Sequence, residues 1–258
     1  AEIEAAGRVR SLKKNDVLFR SGEPADALFV VASGACALRG VRRGDEDAAV
    51  IRRAGRGDVL GEEATVSDFS TRQLEARCEE ESVVAEVPLV VLRRAIGRVG
   101  SDAMERIERA LRRTATLDLL HTASFTRALA DADVALLLDA ARHVQVARGD
   151  SLYREGDVAD AAYLVADGLL QAQTDDDGKP RVEAYLQRGD LFGDEELAER
   201  EPRRVTIAAS GPAWVVAIPR DVFLPVARRN APKLAAAHRI TTHAAPPKAP
   251  SGTTTHVC

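Results

Sequence analysis

Two stretches of this chain are versions of one another, and that repeat limits what it can fold into more than any other feature. NDVLFRSGEPADALFVVASG at 15–34 and GDSLYREGDVADAAYLVADG at 149–168 keep a constant offset. They share Asp16/Asp150, Leu18/Leu152, Gly22/Gly156, Asp26/Asp160, Val31/Val165 and Gly34/Gly168, and hold an aromatic ring at Phe19/Tyr153 and Phe29/Tyr163. The match resumes as GDVLGEEA (57–64) against GDLFGDEE (189–196) and closes at EVP (86–88) against AIP (217–219). A unit this long is not a solenoid repeat, so two copies of one domain are expected.

Inside each copy, short β-branched or alternating runs lie between glycines: ALFVVA (27–32), SVVAEV (82–87), AYLVAD (162–167) and AWVVAI (213–218). Strands of that length between turn signals predict a small β-barrel or jelly roll. Gly22, Gly34, Gly156 and Gly168 are expected at turns that need positive φ, where a Cβ is costly. Between the copies the pattern becomes helical. Pro88 introduces LVVLRRAI, and Ser101 is placed to cap SDAMERIERALRRT, with Met104, Ile107, Ala110 and Leu111 as its apolar stripe. Arg106, Arg109, Arg112 and Arg113 fall mostly off that stripe and read as a solvated face or as partners of nearby acids. DADVALLLDAAR (131–142) is a further helix leading into the second copy.

The same offset carries Ala1–Arg8 onto Ala135–Arg142, so the first copy begins inside its entry helix and the chain is expected to be a fragment. The domains are therefore read as 1–116, 117–240 and a Pro-, Ala- and Thr-rich disordered tail at 241–258.

Several function classes drop out on composition. A net charge of -4 argues against broad nucleic-acid binding, which needs excess Lys and Arg. Cys36, Cys78 and Cys258 are far apart in sequence and form no CxxC, so neither a zinc site nor a disulfide framework is signalled, and a reducing cytoplasm is expected. No run is long and apolar enough for a membrane span. The five histidines have no metal-ligand or nucleophile spacing, no nucleophile elbow is present, and the chain reads as a non-enzyme.

LFGDEELAEREPRRVT (191–206) sets Gly193-Asp194 ahead of Pro202-Arg203. Arginine's planar fork suits two phosphate oxygens, and backbone N–H groups at a helix start add to an anion site. A carboxylate only accepts hydrogen bonds, so the acid beside it suits a ribose hydroxyl. Phosphate plus ribose hydroxyl describes a nucleotide.

At this point the two copies resemble the cyclic nucleotide-binding domains of protein kinase A regulatory subunits, the catabolite activator protein and cyclic-nucleotide-gated channels. The family's phosphate-binding cassette runs F-G-E-(L/I)-A-L, a variable stretch, then P-R-(A/S)-A-(T/S). Phe192-Gly193-Asp194 and Pro202-Arg203-Arg204-Val205-Thr206 fall on it without a gap. Leu60-Gly61-Glu62 matches its start in the first copy, and Arg72 takes the arginine position if the loop gains one residue. The resemblance implies a mainly β fold, two tandem double-stranded β-helix (jelly-roll) barrels with flanking helices. It implies that Glu62 and Asp194 take the ribose hydroxyl and Arg72 and Arg203 the phosphate, with Gly61 and Gly193 at the turn. Arg204 and Thr206 would border the ligand. Departures are Asp194 for Glu, Arg204 for a small residue, Gln73-Leu74-Glu75 after Arg72, and EEATV and DEELA in the hydrophobic part.

The implied function is a regulatory module that senses cAMP or cGMP, uses no metal, and signals through its flanking helices to an effector protein or domain. The alternatives are a ligand-free tandem roll for protein interaction or homodimerisation, and the sensing portion of an enzyme or transporter. Without room for a helix-turn-helix after Arg229, a one-chain transcription factor is disfavoured.

Overall fold

Each glycine-bounded apolar run forms a strand in the computed structural model, which describes residues 7–41, 48–63, 71–96, 101–176 and 179–231. The first copy supplies β1 (Arg8–Leu12), β2 (Val17–Phe19), β3 (Ala27–Ser33), β4 (Cys36–Val41), β5 (Ala48–Ala54), β6 (Val59–Leu60), β7 (Glu75–Cys78) and β8 (Ser82–Pro88). They pair as two sheets, β1-β8-β3-β6 and β2-β7-β4-β5. The second copy supplies β9 (Arg142–Val146), β10 (Ser151–Tyr153), β11 (Ala161–Asp167), β12 (Leu170–Asp176), β13 (Lys179–Leu186), β14 (Leu191–Phe192), β15 (Thr206–Ala209) and β16 (Ala213–Pro219). Its sheets, β14-β11-β16-β9 and β10-β15-β12-β13, have the same topology. The fold is mainly β: two tandem jelly rolls with flanking helices.

The repeat extends to the irregularities. Pairing shifts between Val31 and Ser33 on β3 and at the same place, between Val165 and Asp167, on β11. Gly34 and Gly168 follow at φ 81 and 85. A Cβ on Gly168 would lie 2.6 Å from the Pro212 carbonyl oxygen, so the strand behind it excludes any side chain.

Between the sheets of each roll lies a mostly aliphatic core. In the first, Phe29, Val31 and Val84 from one sheet meet Leu38, Ile51 and Ala76 from the other. In the second, Val165 and Val215 meet Leu170 and Ile207. Burying each such Val, Leu or Ile contributes about 1.5–3 kcal/mol.

Helices close the ends of the rolls: α1 (Leu89–Ile96), α2 (Ser101–Thr122), α3 (Asp131–Ala140), the short α4 (Glu195–Glu199) and α5 (Arg220–Arg229). α2 differs from its sequence pattern. Ile107 is 39% exposed and Ala110 is exposed, whereas Leu111 is half-buried against the cluster of Ala25, Leu28 and Leu89, and full burial begins only further along. There Leu119 and Leu120 join Phe125, Leu137, Leu164 and Phe223 in a core beneath the second roll. The basic face pairs with acids as expected, Arg113 with Asp139 at 2.5 Å and Arg112 with Glu108 at 3.6 Å. The Met104 side chain, Ala1–Ala6, the end of the expected second domain at 232–240, and the tail at 241–258 lie outside the described residues.

Candidate functional site

In the second roll, β14 is followed by Gly193, whose φ is 68, and α4 starts two residues later. Ten residues past Gly193, Arg203 is fixed by its backbone: its N–H donates to Asp157 at 2.8 Å, and its carbonyl accepts from Gly156 at 2.8 Å. Its side chain turns inward and is 0% exposed. Nη1 donates to the Gly193 carbonyl at 2.7 Å and Nη2 to the Ala161 carbonyl at 2.6 Å. The guanidinium lies 4.3 Å from the Tyr153 ring centroid and 5.3 Å from that of Tyr163, a cation–π platform. Two carboxylates stand at longer range, Asp160 at 3.7 Å and Glu196 at 3.8 Å. Nε is buried without a hydrogen-bond partner. A Cβ on Gly193 would come within 2.6 Å of Nη1, so glycine here makes room for the guanidinium as well as for the turn.

The first roll repeats this construction. Thr71 bridges to Pro24 where Pro202 bridges to Val158, which puts Arg72 at the position of Arg203. Arg72 donates from Nη2 to the Ala27 carbonyl at 2.6 Å and from Nη1 to the Gly61 carbonyl at 3.4 Å. Its guanidinium lies over Phe19 at 4.7 Å and Phe29 at 5.4 Å. The two aromatic positions retained in both copies are therefore the arginine platforms, a role the sequence reading left unassigned.

The acids differ between the rolls. Glu62 is 1% exposed, and its Oε1 accepts from Arg52 Nη2 at 2.7 Å. Arg52, on β5, also grips Asp118 of α2 through Nε at 2.8 Å and Nη2 at 3.1 Å. One guanidinium serves two buried carboxylates. Burial, against the pull of Arg52 and with the push of Asp118, raises the Glu62 pKa to about 8. Glu63 is also pushed up by burial, partly offset by Arg72 and by Arg188 of the second roll.

In the second roll Asp194 is only partly buried and lines a cavity of about 530 Å³ between α4 and α5, with Phe223 and Ala227. Arg204 turns outward to Glu199 and to Glu201, the latter at 2.7 Å, and is 49% exposed. The Thr206 hydroxyl accepts the Glu155 N–H at 3.1 Å. The sequence reading missed Glu196, which is 7% exposed, accepts the Arg204 N–H at 3.4 Å and faces Arg203. A carboxylate in the cassette's apolar run was the available signal.

One turn of α2 touches both rolls. Asp118 holds Arg52 of the first, while the Thr116 hydroxyl lies 2.8 Å from Nε2 of His143 on β9 of the second. Burial, reinforced by Arg112, lowers the His143 pKa.

Paired jelly rolls, each with an inward arginine beneath a positive-φ glycine, define the class of fold and site. A model of the cyclic nucleotide-binding domain family matches residues 9–98 and 143–230, and the chain belongs to that family. It is 25% identical over 226 residues to a cGMP-dependent protein kinase of Eimeria tenella, covering 86% of this chain and 21% of the kinase. It is 32% identical over 87 residues to patatin-like phospholipase domain-containing protein 7 of Rattus norvegicus, covering 33% of this chain and 6% of that protein. A solved structure of the regulatory domain of Toxoplasma gondii PKA with cAMP is similar at 20% identity and a TM-score of 0.45, over 93% of this chain and 88% of that one. The chain thus spans about a fifth or less of the two curated relatives' lengths. Among the described residues, no helix is long and apolar enough to cross a membrane, and no cluster of three metal-ligating side chains occurs.

Proposed function

We propose that this chain is the sensing portion of a larger regulatory protein or complex, and that its second roll takes cAMP or cGMP. The observation that carries this is the state of Arg203. Its fork is rigidly placed, its Nε has no acceptor, and the two carboxylates that face it, Asp160 at 3.7 Å and Glu196 at 3.8 Å, stand beyond hydrogen-bond distance. A buried N–H without a partner costs about 1–3 kcal/mol. A cyclic phosphate has two free oxygens, enough to displace Glu196 and to supply the missing acceptor. On this reading Asp194 takes the ribose hydroxyl, directly or through water, Gly193 allows close approach, and Thr206 borders the ligand. Arg204, held by outer carboxylates, braces the cassette. In the first roll, Gly61 and Arg72 have the same layout, with Glu62 held by Arg52 at 2.7 Å; the second roll is favoured because its cassette has the family spacing without a gap.

Binding does no chemistry on the nucleotide. It acts by favouring one placement of α4 and α5, and those helices pass occupancy to a partner protein or attached domain. The kinase and phospholipase relatives support an enzyme as the kind of effector.

A second reading, a ligand-free scaffold, is favoured by Glu196 itself, which already gives Arg203 a counter-charge. Calorimetric titration with cAMP and cGMP separates the two. Binding weakened at least tenfold by Arg203→Lys, which keeps the charge but not the fork, supports the sensor. No heat at millimolar nucleotide leaves the scaffold.

A further inference from the structure

The repeat makes the two cysteines of the first roll comparable with residues of the second. Cys36 on β4 faces Cys78 on β7, and at the equivalent register Leu170 on β12 faces Ala209 on β15. One roll thus carries two thiols where the other carries an ordinary apolar pair. Cys36 and Cys78 are 0% and 1% exposed, and their sulfurs are 3.3 Å apart. The Glu79 N–H donates to the Ala35 carbonyl at 2.8 Å, which makes Cys36 and Cys78 a non-hydrogen-bonded pair. Such pairs have the closest Cα atoms, about 4.5 Å apart, within the range of about 4.4–6.8 Å that disulfides span. The sulfurs need to approach by only about 1.3 Å to bond.

We propose that Cys36 and Cys78 are a covalent modification site, a cross-strand dithiol that a hydroperoxide closes to a disulfide. One sulfur takes the distal peroxide oxygen and becomes a sulfenic acid, releasing the alcohol, or water from hydrogen peroxide. The other sulfur attacks it, the S–S bond forms, and hydroxide leaves and takes the second thiol's proton as water. The two electrons lost by the sulfurs are those that reduce the O–O bond. With Cys36 and Cys78 0% and 1% exposed, bulky disulfides are kept out and a small peroxide is the fitting oxidant; burial and the neighbouring Cys78 push the Cys36 thiol up to about 12, which makes its oxidation slow. The closed loop contains Gly61, Glu62 and Arg72, so oxidation ties down the frame of the first pocket and leaves the second untouched.

The test uses the full chain carrying Cys258→Ser, treated with hydrogen peroxide, then unfolded, alkylated with iodoacetamide and analysed by mass spectrometry. Before treatment both thiols are expected to alkylate. Afterwards neither does, the peptides holding residues 36 and 78 are linked, and the melting temperature rises on the order of 10 °C. A phosphine reductant reverses all three. Cys36→Leu with Cys78→Ala, which copies the pair of the second roll, is expected to fold and to show no peroxide-dependent rise. Two free thiols after peroxide, sulfinic acids without a link, or an equal rise in the double variant each overturn the proposal.

Discussion

Arg72 and Arg203 occupy equivalent places, on equivalent carbonyls and aromatic platforms, yet their acidic neighbours differ. In the first roll Glu62 is clamped by Arg52, which is clamped in turn by Asp118 from the connecting helix. In the second, the residue at the register of Arg52 is Ala184: Leu38 faces Arg52 and Ala172 faces Ala184. Ala184 is exposed and offers no clamp. The backbone of the fold therefore fixes where the arginine sits, while a single substitution on a neighbouring strand decides whether an arginine ties the first acid of the cassette to the connecting helix.

The largest test of that contrast is Arg52→Ala. It leaves the buried Asp118 carboxylate without its cation and Glu62 without its hydrogen-bond donor, and is expected to cost about 3–5 kcal/mol by urea denaturation. Ala184→Ser, its counterpart, is expected to stay within about 0.5 kcal/mol. Equal effects would show that the clamp does not distinguish the rolls.

Next in size is the pH response. The folded chain holds the Glu62 proton up to about 8, whereas the unfolded chain releases it near the ordinary 4.5. Between those values the unfolded state binds fewer protons, so stability falls as pH rises and levels off above about 8. Glu62→Gln is expected to make that slope shallower, read as melting temperature against pH, with the buried Glu63 supplying part of what is left; a slope unchanged in the variant would assign it elsewhere.

The smallest effect concerns Glu196→Ala. Freeing Arg203 from its internal counter-charge is expected to raise nucleotide affinity about tenfold, roughly 1.4 kcal/mol, in calorimetry. Glu62→Gln in the first roll should give no such gain. Unchanged or weaker binding by Glu196→Ala would show that Glu196 does not compete with phosphate.

The rolls were legible in the sequence because their signals are local. Gly34 and Gly168 mark turns, and runs such as 27–32 and 162–167 alternate or branch as strands do. The placement of Arg72 one residue late was legible because its distance to Pro88 equals that from Arg203 to Pro219. What stayed hidden depends on partners brought together by the fold. Arg52 and Asp118 are 66 residues apart, Cys36 and Cys78 are 42 apart, and nothing in either neighbourhood announces the other. The stripe on α2 was misleading for the converse reason. Ile107 has helical spacing, but burial depends on where the helix finds a neighbour, and that begins at Leu111 and is complete only from Thr116.

The turn at Thr116–Asp118 has a further consequence for how the molecule can be divided. The repeat suggests a boundary between 116 and 117, but the bonds run across it in both directions. Thr116, on the near side, belongs with His143 of the second roll; Asp118, on the far side, belongs with Arg52 of the first. Two residues apart on a helix, they point about 200° from each other. Severing the chain there hands each half the other's fastener, so the rolls are spliced rather than merely joined.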